Sequence, residues 1–295
     1  MRIHAYVLAA DPTWLSTSIR AYYPHVEKLV VSYDEEGRGW TGAPVRVEAC
    51  LAALRLLDED RKIEWAAGRF SPRRGVGGDG GTFIDADTRQ RRVALGLASP
   101  GADWVLQIDT DEVLPQWDTL LSALEMADGL GLSVVEWPMR VLYRQMPRGG
   151  FLEVVTSQMT AHYEYGTVAV RPGVQLVEAR RSSGSFLRPI VVGDRLSLQV
   201  RRPPGEGEHR ADIATSESAI WHNSWARPPA AVRSKIASWG HNQGTKSWVY
   251  YYRKWLPAPV TWRVLRDFHP IYPPLWPRLG LVPDLPFDLE PADGP

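Results

Sequence analysis

The stretch "ADWVLQIDTDEVLP", Ala102–Pro115, decides the fold. Trp104–Ile108 carries no charge, and the chain then meets three carboxylates in four positions, Asp109, Asp111 and Glu112. An uncharged run of that length suits a strand covered on both faces. In open α/β sheets, ligands gather outside the carboxyl ends of such strands. Two Asp separated by one residue there can turn both carboxylates toward one point, and hard oxygen ligands suit Mg²⁺ or Mn²⁺. The triplet alone says little, because the chain also has Asp58/Asp60 and Asp85/Asp87. The first of these sits in "LLDEDRK", the charged end of a helix, and reads as a solvated face. The second sits in "FIDADTRQ" just ahead of a helix, where acids favour the N-terminus. Only the third follows a central strand.

The pattern upstream supports that placement. "IHAYVLAA" (Ile3–Ala10) reads as a buried strand, "TWLSTSIRAYYP" as a helix, and "VEKLVVSYD" (Val26–Asp34) as a second strand ending on a carboxylate. "PVRVEACLAALRLLDED" has the spacing of an amphipathic helix and "KIEWAAG" is a third strand. "RFSPRRGVGGDGGTFIDADT" reads as a loop, and "TRQRRVALGLASPG" as a helix opening on the Thr88 cap. Strand–helix alternation of this kind predicts an α/β domain around a mostly parallel sheet over residues 1–130. Over 131–247 the pattern changes. "LSVVEWPMRVLYR" and "YGTVAVRPGVQLVEA" look like longer, antiparallel strands, "RRPPGEGEHRAD" like a loop, and "RPPAAVRSKIASWGHN" like a helix opened by prolines. Residues 248–295 form an aromatic, Pro-rich arm.

Composition narrows the function classes. The 34 Lys+Arg balance 34 Asp+Glu, which argues against a nucleic-acid binder and against a disordered chain. The single cysteine, Cys50, excludes an internal disulfide framework, suits a reducing cytosol and reads as a small core residue. "MRIHAYVLAADP" turns polar too soon for a signal peptide, and no run reaches a membrane span, so a cytoplasmic protein is expected. Gly75, Gly77 and Gly80 match G-x-G-x-x-G formally, but no strand leads into them and no helix opens after them, so a loop is the better reading.

Several segments together resemble a nucleotide-sugar-dependent glycosyltransferase of the GT-A fold, similar to family 2 glycosyltransferases. They are "YVLAADPTWL", "LVVSYDEEG", "DTRQRRVALGLASPGADWVLQIDTDEVLP" and "IWHNSWARPPAAVRSKIASWGH". The resemblance implies a Rossmann-like, mostly parallel sheet flanked by helices, with an antiparallel or irregular acceptor half. It implies Mn²⁺ or Mg²⁺ bridging a donor diphosphate on Asp109, Asp111 and His222. It further implies that Ala9, Asp11, Asp34, Arg89, Asp109 and Thr110 bind a nucleotide-diphosphate sugar. His241 reads as structural. An inverting transfer also needs a carboxylate to deprotonate the acceptor hydroxyl. Glu136, Glu153 and Glu164 are the candidates, and Glu153 is chosen because it follows a Gly-Gly turn. The acceptor would be a saccharide, a glycolipid or a small molecule.

The arm, "WVYYYRKWLPAPVTWRVLRDFHPIYPPLWPRLG", interleaves aromatics with Arg and Lys. Tryptophan is the compositional outlier, 13 in all, so three readings stand side by side. They are a packing arm, a sugar-stacking wall and a peripheral membrane contact at the inner face of the membrane. Two rivals to the transferase stand as well. A sugar-1-phosphate nucleotidyltransferase would want a Gly-rich basic signature after the first strand, where "AADPTWL" lies instead. A non-catalytic carbohydrate-binding protein would use the tryptophans and bind no nucleotide.

Overall fold

The computed structural model describes residues 1–71, 82–238 and 243–289. Gly75, Gly77, Gly80 and His241 therefore lie outside the described residues. In chain order the elements begin with strand β1 (Ile3–Leu8), helix α1 (Leu15–Arg20), β2 (Lys28–Asp34), α2 (Val47–Leu57), β3 (Ile63–Gly68) and α3 (Phe83–Ala98). There follow β4 (Trp104–Leu106), β5 (Glu112–Val113), α4 (Trp117–Gly129), β6 (Val134–Gln145), β7 (Phe151–Val155) and β8 (Tyr163–Val170). Next come β9 (Leu176–Glu178), β10 (Arg181–Ser182), β11 (Phe186–Val191), α5 (Leu198–Arg201), β12 (Glu208–Ala214) and β13 (Ile220–His222). Helices α6 (Pro229–Ser238) and α7 (Thr245–Tyr250), a π-helical turn over Tyr251–Trp255, α8 (Ala258–Thr261) and β14 (Arg278–Val282) close the chain.

The main sheet runs β12-β11-β6-β8-β4-β1-β2-β3. β1 is parallel to β2 on one side and to β4 on the other, and β2 is parallel to β3. All six residues of β1 are buried, as a central strand requires. β1 has its sequence neighbour β2 on one side and the later β4 on the other, so the order reverses there. That reversal is where an α/β sheet opens a crevice. This is the α/β, Rossmann-like architecture expected from the sequence. On one face, α2 buries Val47, Cys50, Leu51, Leu54 and Leu57, an i, i+3, i+4, i+7 stripe. Cys50 is thus a core residue, and burial pushes its thiol up to about 12.

Three expectations need correction. Helix α3 begins at Phe83, five residues before the expected cap. Thr82 accepts the Asp85 N–H, and Asp85 accepts the Thr82 N–H at 2.5 Å, which makes a reciprocal capping box. Asp85 and Asp87 therefore lie inside the helix, and Thr88 instead donates to the Ile84 carbonyl and accepts from Ala179 N–H. The "GEGEHRAD" segment contributes a strand, β12, rather than a loop. The second half is also not simply antiparallel: β8 is antiparallel to β4 and β6, but β6, β11 and β12 are mutually parallel.

The arm is packed on the domain. Its Tyr250, Tyr251, Trp255, Ala258, Phe268 and Trp276 share a second core with Tyr143, Leu152, Trp225 and Ile236. Trp255 Nε1 donates to the carbonyls of Tyr143 and Trp225, 3.2 and 3.0 Å away. β14 then pairs antiparallel with β7. No helix among the described residues is long and apolar enough to cross a membrane.

The parallel strands β6, β11 and β12 are tied by buried charge. Arg188 donates to Glu136 from Nε at 2.8 Å and also bonds Glu208, whose carboxylate further receives Arg202 and Arg210. Removing one partner of such a cluster strands buried carboxylates without compensation. Arg188→Met is expected to destabilise the fold by about 3–5 kcal/mol, measured as a lowered urea midpoint with unchanged m-value.

Candidate functional site

Four segments converge outside the carboxyl ends of the parallel strands. Ala9–Asp11 follows β1, Asp34 ends β2, Asp109–Glu112 follows β4, and His222 ends β13. The β5–β13 pair sets His222 opposite Glu112, and Asn223 N–H donates to the Asp111 carbonyl at 2.7 Å. Ser18 of α1 donates to the Asp109 carbonyl at 3.0 Å. These contacts fix the acidic turn from both sides. The cavity enclosed there has a volume of about 740 Å³ and is lined by Ala9, Asp11, Asp34, Asp109, Thr110, Asp111 and His222. That size accommodates a substantial organic ligand.

The cavity wall is as cationic as it is acidic. Seven carboxylates (Asp11, Asp34, Asp87, Asp109, Asp111, Glu112 and Glu164) face seven cations (Arg38, Arg46, Arg91, Arg180, Arg181, Arg227 and Lys235). Arg91 grips Asp109 with two hydrogen bonds, Nη1 to Oδ1 at 3.0 Å and Nη2 to Oδ2 at 3.1 Å, and also bonds Asp87. Burial opposes ionisation of Asp109, but Arg91 and Arg180 outweigh it and hold the carboxyl well below the usual range. Arg180 clamps the fully buried Glu112. Arg227 bridges Asp11 and Asp111, reaching Asp111 Oδ2 at 2.5 Å. Lys235 Nζ stands 3.4 Å from the same oxygen and His222 Nε2 3.7 Å from it.

This donor set does not fit the cation that the resemblance implies. Both Asp109 oxygens are taken by Arg91, and Asp111 Oδ2 is held by Arg227 and Lys235. Among the described residues, no three His, Cys, Asp or Glu come together to hold a metal. Equal numbers of carboxylates and cations also leave the cavity without a net negative charge to draw in a dication.

The other sequence candidates divide. Asp34 lines the cavity, but its Oδ1 accepts the amides of Glu36 and Arg38 and its Oδ2 those of Phe70 and Ser71, so it shapes two loops. Arg89 is exposed, donates to the Phe70 carbonyl at 2.9 Å and does not line the cavity. Arg91, two residues on and so on the opposite face of α3, takes the inward place. Glu153 is turned away from the cavity and held by two or more hydrogen bonds from Arg140. Glu164 does line the cavity; it is desolvated, accepts from the Trp276 indole, and burial raises its carboxyl above the usual range. Glu136 is occupied by Arg188.

Arg180, Arg227 and Lys235 are the residues that sequence reasoning missed, whereas Arg91 lies in the basic "TRQRR" run, whose side chains could be expected to touch phosphates, and Trp276 in the aromatic arm. Arg227 and Lys235 lie within the quoted "WARPPAAVRSK", two and ten residues after Trp225.

No protein-family model matches the chain, and no curated protein matches it by sequence. Among solved structures, the chain is similar to 4-diphosphocytidyl-2C-methyl-D-erythritol synthase from Anaerococcus prevotii. The identity is 11%, the TM-score 0.31, and the match covers 58% of this chain and 71% of that one. A likeness that slight carries nothing about activity.

Burial, then the nearby Arg227 charge, brings Lys235 down from 10.5 to about 8, although Asp111 pulls the other way. The unfolded chain thus binds more protons between those values, and stability should rise with pH from about 8 to 10.5. Lys235→Met is expected to be more stable than wild type at pH 7 by ~1–3 kcal/mol and to lack that rise. Thermal melts at neutral and alkaline pH check both.

Proposed function

We propose that the protein is a glycosyltransferase that moves a sugar from a nucleoside-diphosphate sugar to an acceptor hydroxyl, with inversion. The observation that carries the reading is the cavity at the strand-order reversal, where Arg227 and Lys235, steadied by the Asn223 and Ser224 carbonyls, face inward beside Asp11, Asp111 and His222. Those two cations are the groups suited to a diphosphate. In this reading Asp11 and Asp111 hold them in position until the donor shares them. Ala9, Asp34 and Thr110 bound the nucleotide end.

The chemistry then needs two things. Negative charge develops on the leaving diphosphate as the bond from its oxygen to the anomeric carbon breaks, and preorganised cations stabilise it without reorganising. The acceptor hydroxyl must lose a proton as its oxygen forms the new bond. Glu164 suits that role better than Glu153, because it lines the cavity and Glu153 does not, and burial raises its carboxyl above the usual range, which strengthens it as a base. Trp276, whose indole holds Glu164, belongs to the second core and fixes the carboxylate at this end of the cavity.

Calorimetric titration with UDP, GDP and dTDP, in EDTA and then with Mn²⁺, tests the donor half. One of the three should bind in EDTA, and Lys235→Met should weaken it by tenfold or more, about 1.4 kcal/mol. If none binds under either condition, the transferase reading is wrong. Binding that appears only with Mn²⁺ would return a cation to Asp111 and His222. Once the donor is known, Glu164→Gln should leave its affinity within about threefold and lower turnover by ~10²–10⁴, whereas Glu153→Gln should change turnover little. An equal loss in both variants would remove Glu164 from the reaction.

A further inference from the structure

The arm presents a second, unrelated surface. Over α7, the π-helical turn and α8 the chain buries Tyr250, Tyr251, Trp255 and Ala258 against the domain. The opposite side carries Val249, Tyr252, Leu256, Val260 and Val264, spaced by three, four, four and four residues. They sit opposite the buried set across these consecutive helical turns and the turn that follows α8. They are exposed by 46, 59, 42, 86 and 75% respectively, and Ile271 and Tyr272 extend the patch at 45 and 54%. Isolated exposed apolar residues are ordinary, but a continuous row of this kind marks an interaction surface.

Charge says what fits it. Residues 243–275 contain Lys246, Arg253, Lys254, Arg263 and Arg266 against Asp267 alone, a local excess of four positive charges on a chain whose net charge is zero. None of the five forms an ion pair with a carboxylate among the described residues, and Arg263 lies over the Trp262 ring, 4.7 Å from its centre. An apolar row edged by unpaired Arg and Lys, with Trp and Tyr between, is complementary to an anionic lipid surface: side chains enter the acyl boundary and cations meet the headgroups. A protein partner would have to bury those cations, each against a carboxylate of its own.

We infer that the 245–272 face of the arm docks the protein on anionic membrane, lying in the interface without crossing it. The same segment continues into the cavity wall through His269, Ile271 and Leu275. A docked bilayer therefore borders the cavity rim, which is where an amphiphilic acceptor held in the bilayer would enter. That last step alone rests on the transferase reading; docking does not.

Co-sedimentation of the full chain with vesicles, without nucleotide, tests it. Vesicles of phosphatidylcholine containing about a third phosphatidylglycerol should retain the protein, pure phosphatidylcholine should retain at least about tenfold less, and added salt should release it. Val260→Asp with Val264→Asp, at positions too exposed to affect folding, should lower retention by about tenfold or more, as should Arg253→Glu with Arg263→Glu. Unchanged thermal melts would confirm that both variants fold. Failure to bind anionic vesicles, equal retention on neutral ones, or retention untouched by both variants overturns the inference. So does a dimer, seen by sedimentation velocity, that the valine variant dissolves while the wild type ignores lipid; the face would then belong to a second copy of the chain.

Discussion

A carboxylate taken out of water must be met by a cation or a row of N–H groups, and the functional end of this sheet is built on that constraint. Asp109, Asp111 and Glu112 cluster within four residues, which in isolation would repel one another and raise each other's pKa. Arg91 from α3, Arg180 from the turn before β10, and Arg227 after β13 each answer one of them. Three remote segments are thereby tied to one turn. The same pairs that let the acids sit together also determine what the cavity offers a ligand: inward-facing cations on an acidic frame.

The fold was legible where its pattern came from the hydrophobic effect. The continuous apolar runs of β1, β2 and β4 and the spaced stripe of α2 mark the parallel half, and the sheet follows from them. It was illegible where polar residues do the work of apolar ones. β12 reads as loop because its inward Glu208 is a charge, made tolerable only by Arg188, Arg202 and Arg210, and no spacing in the sequence reveals such a partnership. The start of α3 was misplaced because its capping box uses Asp85 where Glu is usual, directly after a glycine-rich stretch that reads as loop.

The site divides in the same way. Ala9, Asp11, Asp34, Asp109, Thr110, Asp111 and His222 all reach one cavity because strand ends can be located from the strands. The cations cannot be located so, since a single Arg or Lys in sequence looks like any solvated side chain until the fold buries it. Two positions apart in a helix are separated by about 200°, so Arg91 faces the cavity while Arg89 faces solvent.

Asp34 has an effect that its position at the end of β2 does not suggest. By accepting amides from Glu36 and Arg38 with one oxygen and from Phe70 and Ser71 with the other, a single side chain joins the segment leaving β2 to the segment leaving β3. The two cannot swing independently. A displacement of the loop after β2 must therefore either carry Phe70 and Ser71 with it or break their bonds to Asp34.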